Sequence, residues 1–279
     1  IQSWSGAAAP DLFQEKKMHI VICVKQVPNT TQVRINPETN TLVRDGVESI
    51  MNPFDENALE MALQIKEKHA GAKVTVLTMG PPQAAEILKE AVGRGADAVV
   101  LLCDRAFAGS DTWATSYAIS TAIAKLEKAD LVLFGKQAID GDTAQVGPGV
   151  ADWMGIPCIA YARKIEIADG KACVERVFED GYEKLEVDLP CALTVLKEAN
   201  VPRMASLRGK MAAKKLNIVP MTAEASGADL SKLGLSASPT RVVKIFSPPP
   251  KTGGVKWQGE EPAAMAAKLV DLLKERKLI

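Results

Sequence analysis

Three observations predict an α/β fold built on a doubly wound, mostly parallel sheet. Short apolar runs alternate with helical segments from His19 to Met154, an order that calls for crossover connections and parallel strands. The runs are apolar throughout instead of alternating, as expected of strands covered on both faces. Polar loops, several bearing glycine, follow the runs, where open α/β sheets place ligands. The composition agrees: 47% hydrophobic and 24% charged over 279 residues suits one large globular domain or two smaller ones.

The elements follow in order. Residues 1–17 lack the basic start and continuous apolar core of a signal peptide and read as linker, tag remnant or transit residues before Met18. His19–Lys25 is the first strand. Val33–Asn36 and Thr41–Arg44 flank the turn cluster Pro37–Asn40 and form a small hairpin. Asn52-Pro53 opens a helix, with Asn as cap and Pro at the first helical position, and Phe54, Ala58, Leu59, Ala62 and Ile65 share one face. Lys73–Thr78 is the second core strand. Gln83–Val92 is a helix stopped by Gly93 and Gly95. Ala98–Cys103 is the third strand, and Asp111 caps a helix running to Glu127. Leu131–Phe134 is the fourth strand, and Asp142-Thr143 caps a helix over Thr143–Met154.

Ile156–Ala160, Lys164–Ala168, Lys171–Phe178 and Tyr182–Val187 are short strands separated by turns. Asp169-Gly170 marks a β-hairpin insertion, and Cys191–Val195 rejoins the sheet. Beyond Glu198 the pattern changes. Ser206–Asn217 is basic with little apolar periodicity, 226–240 reads as a Gly/Ser-rich linker, and Ser247–Gly254 is too proline-rich for helix or central strand. Glu261–Lys277 is an amphipathic helix. The chain thus divides into an N-terminal extension or tag (1–17), an α/β domain (18–200), a basic loop and helix (201–217) and an extended C-terminal arm ending in a helix (218–279). That arm holds too little core to fold alone and is expected to pack on another chain.

Charge and motif content narrow the function. Lys+Arg and Asp+Glu both total 34, which argues against a nucleic-acid or polybasic membrane surface, and no apolar run spans a bilayer. Five scattered cysteines without CxxC suit a reducing compartment and core packing. The two histidines, His19 and His69, sit in no motif, and no hydrolase or metal signature occurs. No catalytic residue or metal ligand is therefore assigned, and any chemistry belongs to a bound cofactor.

The segment Leu131–Gly149 carries the site. A strand, a glycine turn and a helix N-terminus aim free N–H groups and a dipole at one spot, an anion pocket that is neither GxGxxG nor a P-loop. Thr143, Gln145 and the N–H groups of 143–147 are the expected phosphate ligands. Asp140 and Asp142 could act as paired carboxylates, but a turn and a cap account for both. The polar loop Asp104–Trp113 lies on the same sheet edge and brings Asp104 and Thr112 into the candidate set, with a plain surface loop as the alternative.

Val24–Pro28, Met51–Phe54, Gly135–Asp140, Val174–Thr194 and Pro202–Leu207, taken in order, resemble the β subunit of electron-transfer flavoproteins from Met18 to the C-terminus. The resemblance implies a Rossmann-like domain and an obligate heterodimer with an α subunit carrying FAD. It implies an adenine nucleotide held by Cys23, Asn52, Pro53, Phe54, Met79 and the loop Gly135, Lys136, Gln137, Ala138, Ile139, Asp140, Gly141, Asp142, Thr143, Ala144, Gln145 and Val146. Leu207 would dock a flavin dehydrogenase such as acyl-CoA dehydrogenase, and the C-terminal arm would wrap the α subunit. Small Gly141 and Ala144 look like the branch of the family holding a second FAD, which takes a hydride from NADH and bifurcates its electrons; Asn29 departs from the Asp common there. The alternatives are a shuttle subunit with a structural AMP, or a nucleotide-binding regulatory protein without flavin. The implied location is the cytoplasm of a bacterium or the mitochondrial matrix of a eukaryote.

Overall fold

A computed structural model describes residues 17–29, 34–35, 42–43, 48–244 and 252–279. The strands and helices run β1 (His19–Cys23), β2 (Gln26–Pro28), β3 (Arg34–Ile35), β4 (Leu42–Val43), β5 (Ser49–Met51), α1 (Pro53–Lys68), β6 (Lys73–Met79), α2 (Ala85–Arg94), β7 (Ala98–Leu102), α3 (Thr112–Ala124), β8 (Leu131–Gly135) and α4 (Val146–Met154). They continue with β9 (Cys158–Ala168), β10 (Lys171–Phe178), β11 (Gly181–Asp188), β12 (Cys191–Val195), α5 (Leu207–Lys214), α6 (Ala223–Ser226), α7 (Gly234–Ala237) and α8 (Pro262–Glu275).

Eight strands form one sheet in the order β11-β10-β9-β12-β8-β1-β6-β7. From β9 to β7 the neighbours are parallel, while β10 and β11 extend the sheet antiparallel beyond β9. β1 and β12 are buried along their whole length, which explains their unbroken apolar runs. Alternate residues feed two layers. Ile20, Ile22, Leu131 and Leu133 pack with Leu59 and Ala62 of α1 and Leu88 of α2. Val21 and Val132 pack with Ala118 and Ala122 of α3 and Val150 and Ala151 of α4. Helices therefore cover both faces, as predicted. The strand order reverses between β1 and β8, since the chain winds from β1 outward to β7 and from β8 the other way to β12. A crevice opens at the carboxyl ends of that pair.

Several expectations are corrected. β9 is one strand of eleven residues, not two, because Tyr161 takes a left-handed φ of 66° and absorbs an irregularity in the pairing with β12. Gly93 lies inside α2, and only Gly95, at φ 128°, ends it. Segment 226–240 is not a linker. Asp229 N–H donates to Tyr117 Oη (2.9 Å) and Leu235 N–H to Ala108 O (3.2 Å), Leu233 is buried, and Thr240 donates to Asp111. Composition hid this segment because its anchors are backbone and hydroxyl groups, not an apolar stripe. Cys173, expected in the core, is exposed on β10. β3 and β4 form the predicted small hairpin, whose turn lies outside the described residues, as do residues 1–16 and 245–251.

The chain separates into two compact units, 1–243 and 244–279. In the second, α8 matches the predicted amphipathic helix, opens on Pro262, and has no buried residue. Among the described residues no helix is long and apolar enough to cross a membrane.

Candidate functional site

The site is built where the N-terminus of α1 meets the ends of β1 and β8. Pro53 starts α1 as predicted, but Asn52 does not cap it with its side chain. Buried at 1% exposure, Asn52 instead reaches across to the loop after β8. Its Nδ2 donates to Gln137 O (2.8 Å) and its Oδ1 accepts from Ile139 N–H (3.2 Å). The cap position of one helix thereby fixes the shape of a loop 85 residues further on.

One turn later lies Asp55, which the sequence reading missed. Its carboxylate accepts from Lys25 N–H at the end of β1 (2.7 Å) and from Gly135 N–H at the end of β8 (3.1 Å). It joins the two strand ends across the switch point. An acidic residue in a first helical turn is commonplace beside the helix dipole, so no sequence signal set it apart. Gly135 is obligatory: an added Cβ would lie 2.7 Å from the Phe54 carbonyl carbon and press on the Asp55 carboxylate.

Burial pushes the Asp55 carboxyl up to about 7, against hydrogen bonds from Lys25 N–H, the Asn52 side chain and Gly135 N–H that pull it down. The Cys23 thiol is raised by its own burial and by the charge of Asp55, which leaves it an inert wall of the site. A pH dependence follows. The folded carboxyl keeps its proton to about pH 7, while the unfolded one releases it near its ordinary 3.8. This group favours folding most below 3.8, and the contribution is lost as pH rises to 7. The unfolding free energy of the wild type relative to Asp55→Ala should therefore fall between about pH 4 and 7.5; urea titrations showing a constant difference would refute the shift.

The loop from Lys136 to Gln145 is held from several sides. Lys136 N–H donates to Val195 O (2.9 Å), Asp142 N–H to Ala138 O (2.9 Å), Gln137 Nε2 to the Asp142 carboxylate, and Lys25 Nζ pairs with Asp140 Oδ1 (2.7 Å). The predicted helix start is corrected. α4 begins at Val146 with Gln145 at its cap position, because Asp142 and Ala144 adopt left-handed φ values of 54° and 53° that no helix accommodates. Asp142 and Thr143 thus belong to the loop. Gln145 Oε1 accepts from Thr112 Oγ1 (2.9 Å), tying the loop to the first residue of α3. An added Cβ on Gly147 would approach Thr194 Cγ2 to 2.8 Å, and one on Gly149 would approach Ser116 Oγ to 2.5 Å, so α4 sits close against the sheet and α3. A Cβ on Gly141, in contrast, would meet only Lys25 Nζ at 3.9 Å.

Asn52, Gln137, Ile139, Asp140, Asp142, Gln145 and Thr112 are thus brought together with Cys23 and Gly135. Met79 ends β6, the strand beside β1. Asp104 stands apart, since it follows β7, three strands and ~14 Å from β8. Its carboxylate accepts from Ala106 N–H (3.0 Å) and Ala223 N–H (3.1 Å), which hold its pKa below the usual value. Its role is to join the 221–223 segment to the sheet. Leu207 is the first residue of α5 and 78% exposed. Ser206 caps that helix through Gly209 N–H (3.0 Å), and Gly209 lies against the Gly93 carbonyl of α2. Glycine-to-glycine packing replaces an apolar stripe in α5, the helix expected within 201–217.

The model of the electron transfer flavoprotein domain matches residues 39–226. The chain is 51% identical over 262 residues to the caffeyl-CoA reductase-Etf complex subunit CarD of Acetobacterium woodii, covering 94% of this chain and all of that protein. It is 46% identical to the electron transfer flavoprotein subunit beta of Megasphaera elsdenii, with the same coverage. To protein FixA of Sinorhizobium fredii it is 48% identical over 84% of this chain and 85% of that one.

Proposed function

The chain belongs to the electron transfer flavoprotein family as a β subunit, and from that premise we propose that it holds FAD at the switch point between β1 and β8. It works in a heterodimer with an α subunit that carries its own FAD, and passes electrons between NADH or a flavin dehydrogenase and an acceptor. The observation that carries the FAD reading is the loop before α4. Left-handed Asp142 and Ala144 delay the start of α4 to Val146, and the Val146 and Gly147 N–H groups of its first turn, which have no partner within the helix, follow the loop that leaves the carboxyl end of β8. The open space over Gly141 leaves room for a diphosphate, and the Lys25 ammonium, paired with Asp140, lies at its edge. These donors suit a phosphate chain, so the residues present fit the group.

The flavin, once bound, supplies the electron chemistry. The chain's own residues do the rest: Asn52 and Asp55 fix the loop and strand ends, the N-terminus of α4 binds phosphate, and buried apolar walls exclude water. Bifurcation from NADH is the finer form of this proposal. The name of the Acetobacterium relative, a subunit of a caffeyl-CoA reductase complex, supports a partner dehydrogenase acting on CoA thioesters, with Leu207 in the docking surface. Purified αβ heterodimer should contain two FAD. One FAD with one AMP would overturn the FAD reading in favour of a simple shuttle, and a flavin-free homodimer would remove the electron-transfer reading altogether.

A further inference from the structure

Residues 200–206 run without regular secondary structure into α5, yet polar contacts fasten them to α1 along its length. Arg203 is the centre of these contacts. Its Nε and a second guanidinium nitrogen donate to the two oxygens of Glu60 (2.8 and 3.0 Å), and its backbone N–H donates to Glu60 as well (3.1 Å). The same guanidinium also binds both oxygens of Glu67, two helical turns further on. Asn57 and Asn200 exchange hydrogen bonds one turn before Glu60: Asn57 Nδ2 to Asn200 O (2.8 Å) and Asn200 Nδ2 to Asn57 O (3.0 Å).

The apolar neighbours point the other way. Val201 and Met204 are each 87% exposed, followed by exposed Leu207 and Met211. Apolar side chains on a loose segment would fold back onto the nearest apolar surface. These are held out because the backbone beneath them is tied down through polar groups. We infer that Arg203 is a positioning residue, gripped by Glu60 and Glu67 of α1, that holds 201–207 as a preformed apolar ridge for the partner dehydrogenase; this rests on the docking reading of Leu207 given above.

Three physical points carry it. Glu60 is 5% exposed, and a buried carboxylate is tolerated when paired and hydrogen-bonded; Arg203 and Gln64 Nε2 (2.8 Å) satisfy both oxygens. The planar guanidinium meets two carboxylates at once, a geometry that a lysine ammonium cannot reproduce. A ridge ordered in advance also spares the ordering entropy otherwise lost on docking. Asn52, which holds the candidate nucleotide loop, precedes Glu60 by eight residues, about 12 Å along the same helix. The ridge is therefore held at a fixed distance from that loop.

The test uses the αβ heterodimer and a purified acyl-CoA dehydrogenase. Arg203→Met should raise the KM for the dehydrogenase about tenfold with kcat at saturation unchanged, and should speed amide exchange across 201–206. Arg203→Lys should recover only part of the loss. Glu67→Gln, which removes an exposed partner and endangers folding little, should raise KM about threefold. Heterodimer yield and bound nucleotide should match the wild type. Unchanged KM and exchange in Arg203→Met, with Leu207→Ala still raising KM, would overturn the clamp while leaving docking intact. Unchanged KM in Leu207→Ala would remove the docking reading and the ridge with it. Lost assembly in Glu67→Gln would also overturn the proposal and assign the ridge to the α-subunit interface.

Discussion

Gly135→Ala should abolish nucleotide retention and lower the unfolding free energy by about 3 kcal/mol, the upper range for forcing a methyl into a filled site. The added carbon would lie 2.7 Å from both the Phe54 carbonyl carbon and Phe54 Cβ, and closer still to the Asp55 carboxylate. Two of these atoms belong to the first turn of α1 and cannot swing aside like the tip of a surface side chain. Relief requires α1 and β8 to separate, which breaks the Asp55 bond to Gly135 N–H and shifts the loop held by Asn52. Gly141→Ala is the matched control. With only Lys25 Nζ at 3.9 Å, its stability should stay within about 0.5 kcal/mol of wild type. Urea denaturation and nucleotide content of the purified heterodimer measure both variants. Normal nucleotide content in Gly135→Ala would mean that β8 does not end against α1.

Asp55→Asn should be nearly as damaging, at about 2–4 kcal/mol, although the two side chains have almost the same size. Lys25 N–H and Gly135 N–H each donate to a different carboxylate oxygen. Above about pH 7.5, where the carboxylate is ionised, an asparagine offers one acceptor in place of two, so one of the N–H groups would face an amide N–H₂ inside a buried site. Asp55→Glu should not rescue it, because an added methylene overfills the junction of α1 with β1 and β8. Thermal unfolding together with nucleotide affinity checks this. Wild-type stability in Asp55→Asn would show that the carboxylate does not span the strand ends.

These two residues mark the limit of what the sequence showed. Gly135 stood out because it ends an apolar run, and its place after a strand predicted a ligand loop. Asp55 carried no such mark, since its function depends on the approach of Lys25 and Gly135, which lie 30 and 80 residues away. Asn52 was expected to cap α1 and, through the family resemblance, to contact the nucleotide; its reach to Gln137 and Ile139 is a tertiary contact. Asp104 entered the candidate set from the position of its loop on the sheet edge, yet strand order puts β6 and β1 between it and β8. The linker expected at 226–240 failed for a related reason: composition reports how much apolar area a segment can bury, whereas this one is held by Asp229, Thr240 and the single buried Leu233.

The α/β class, the strands with their apolar runs, the helix start at Pro53 and the family motifs were legible from residue order, because each is written in local periodicity or in contiguous residues. The assembled fold was needed to reveal that a buried carboxylate bridges the switch point. It alone showed that Asn52 shapes the loop before α4, and that Arg203 ties an exposed apolar ridge to α1. Those features arise from groups distant in sequence whose hydrogen-bond partners exist only after the sheet has assembled, and no local pattern encodes such a partner.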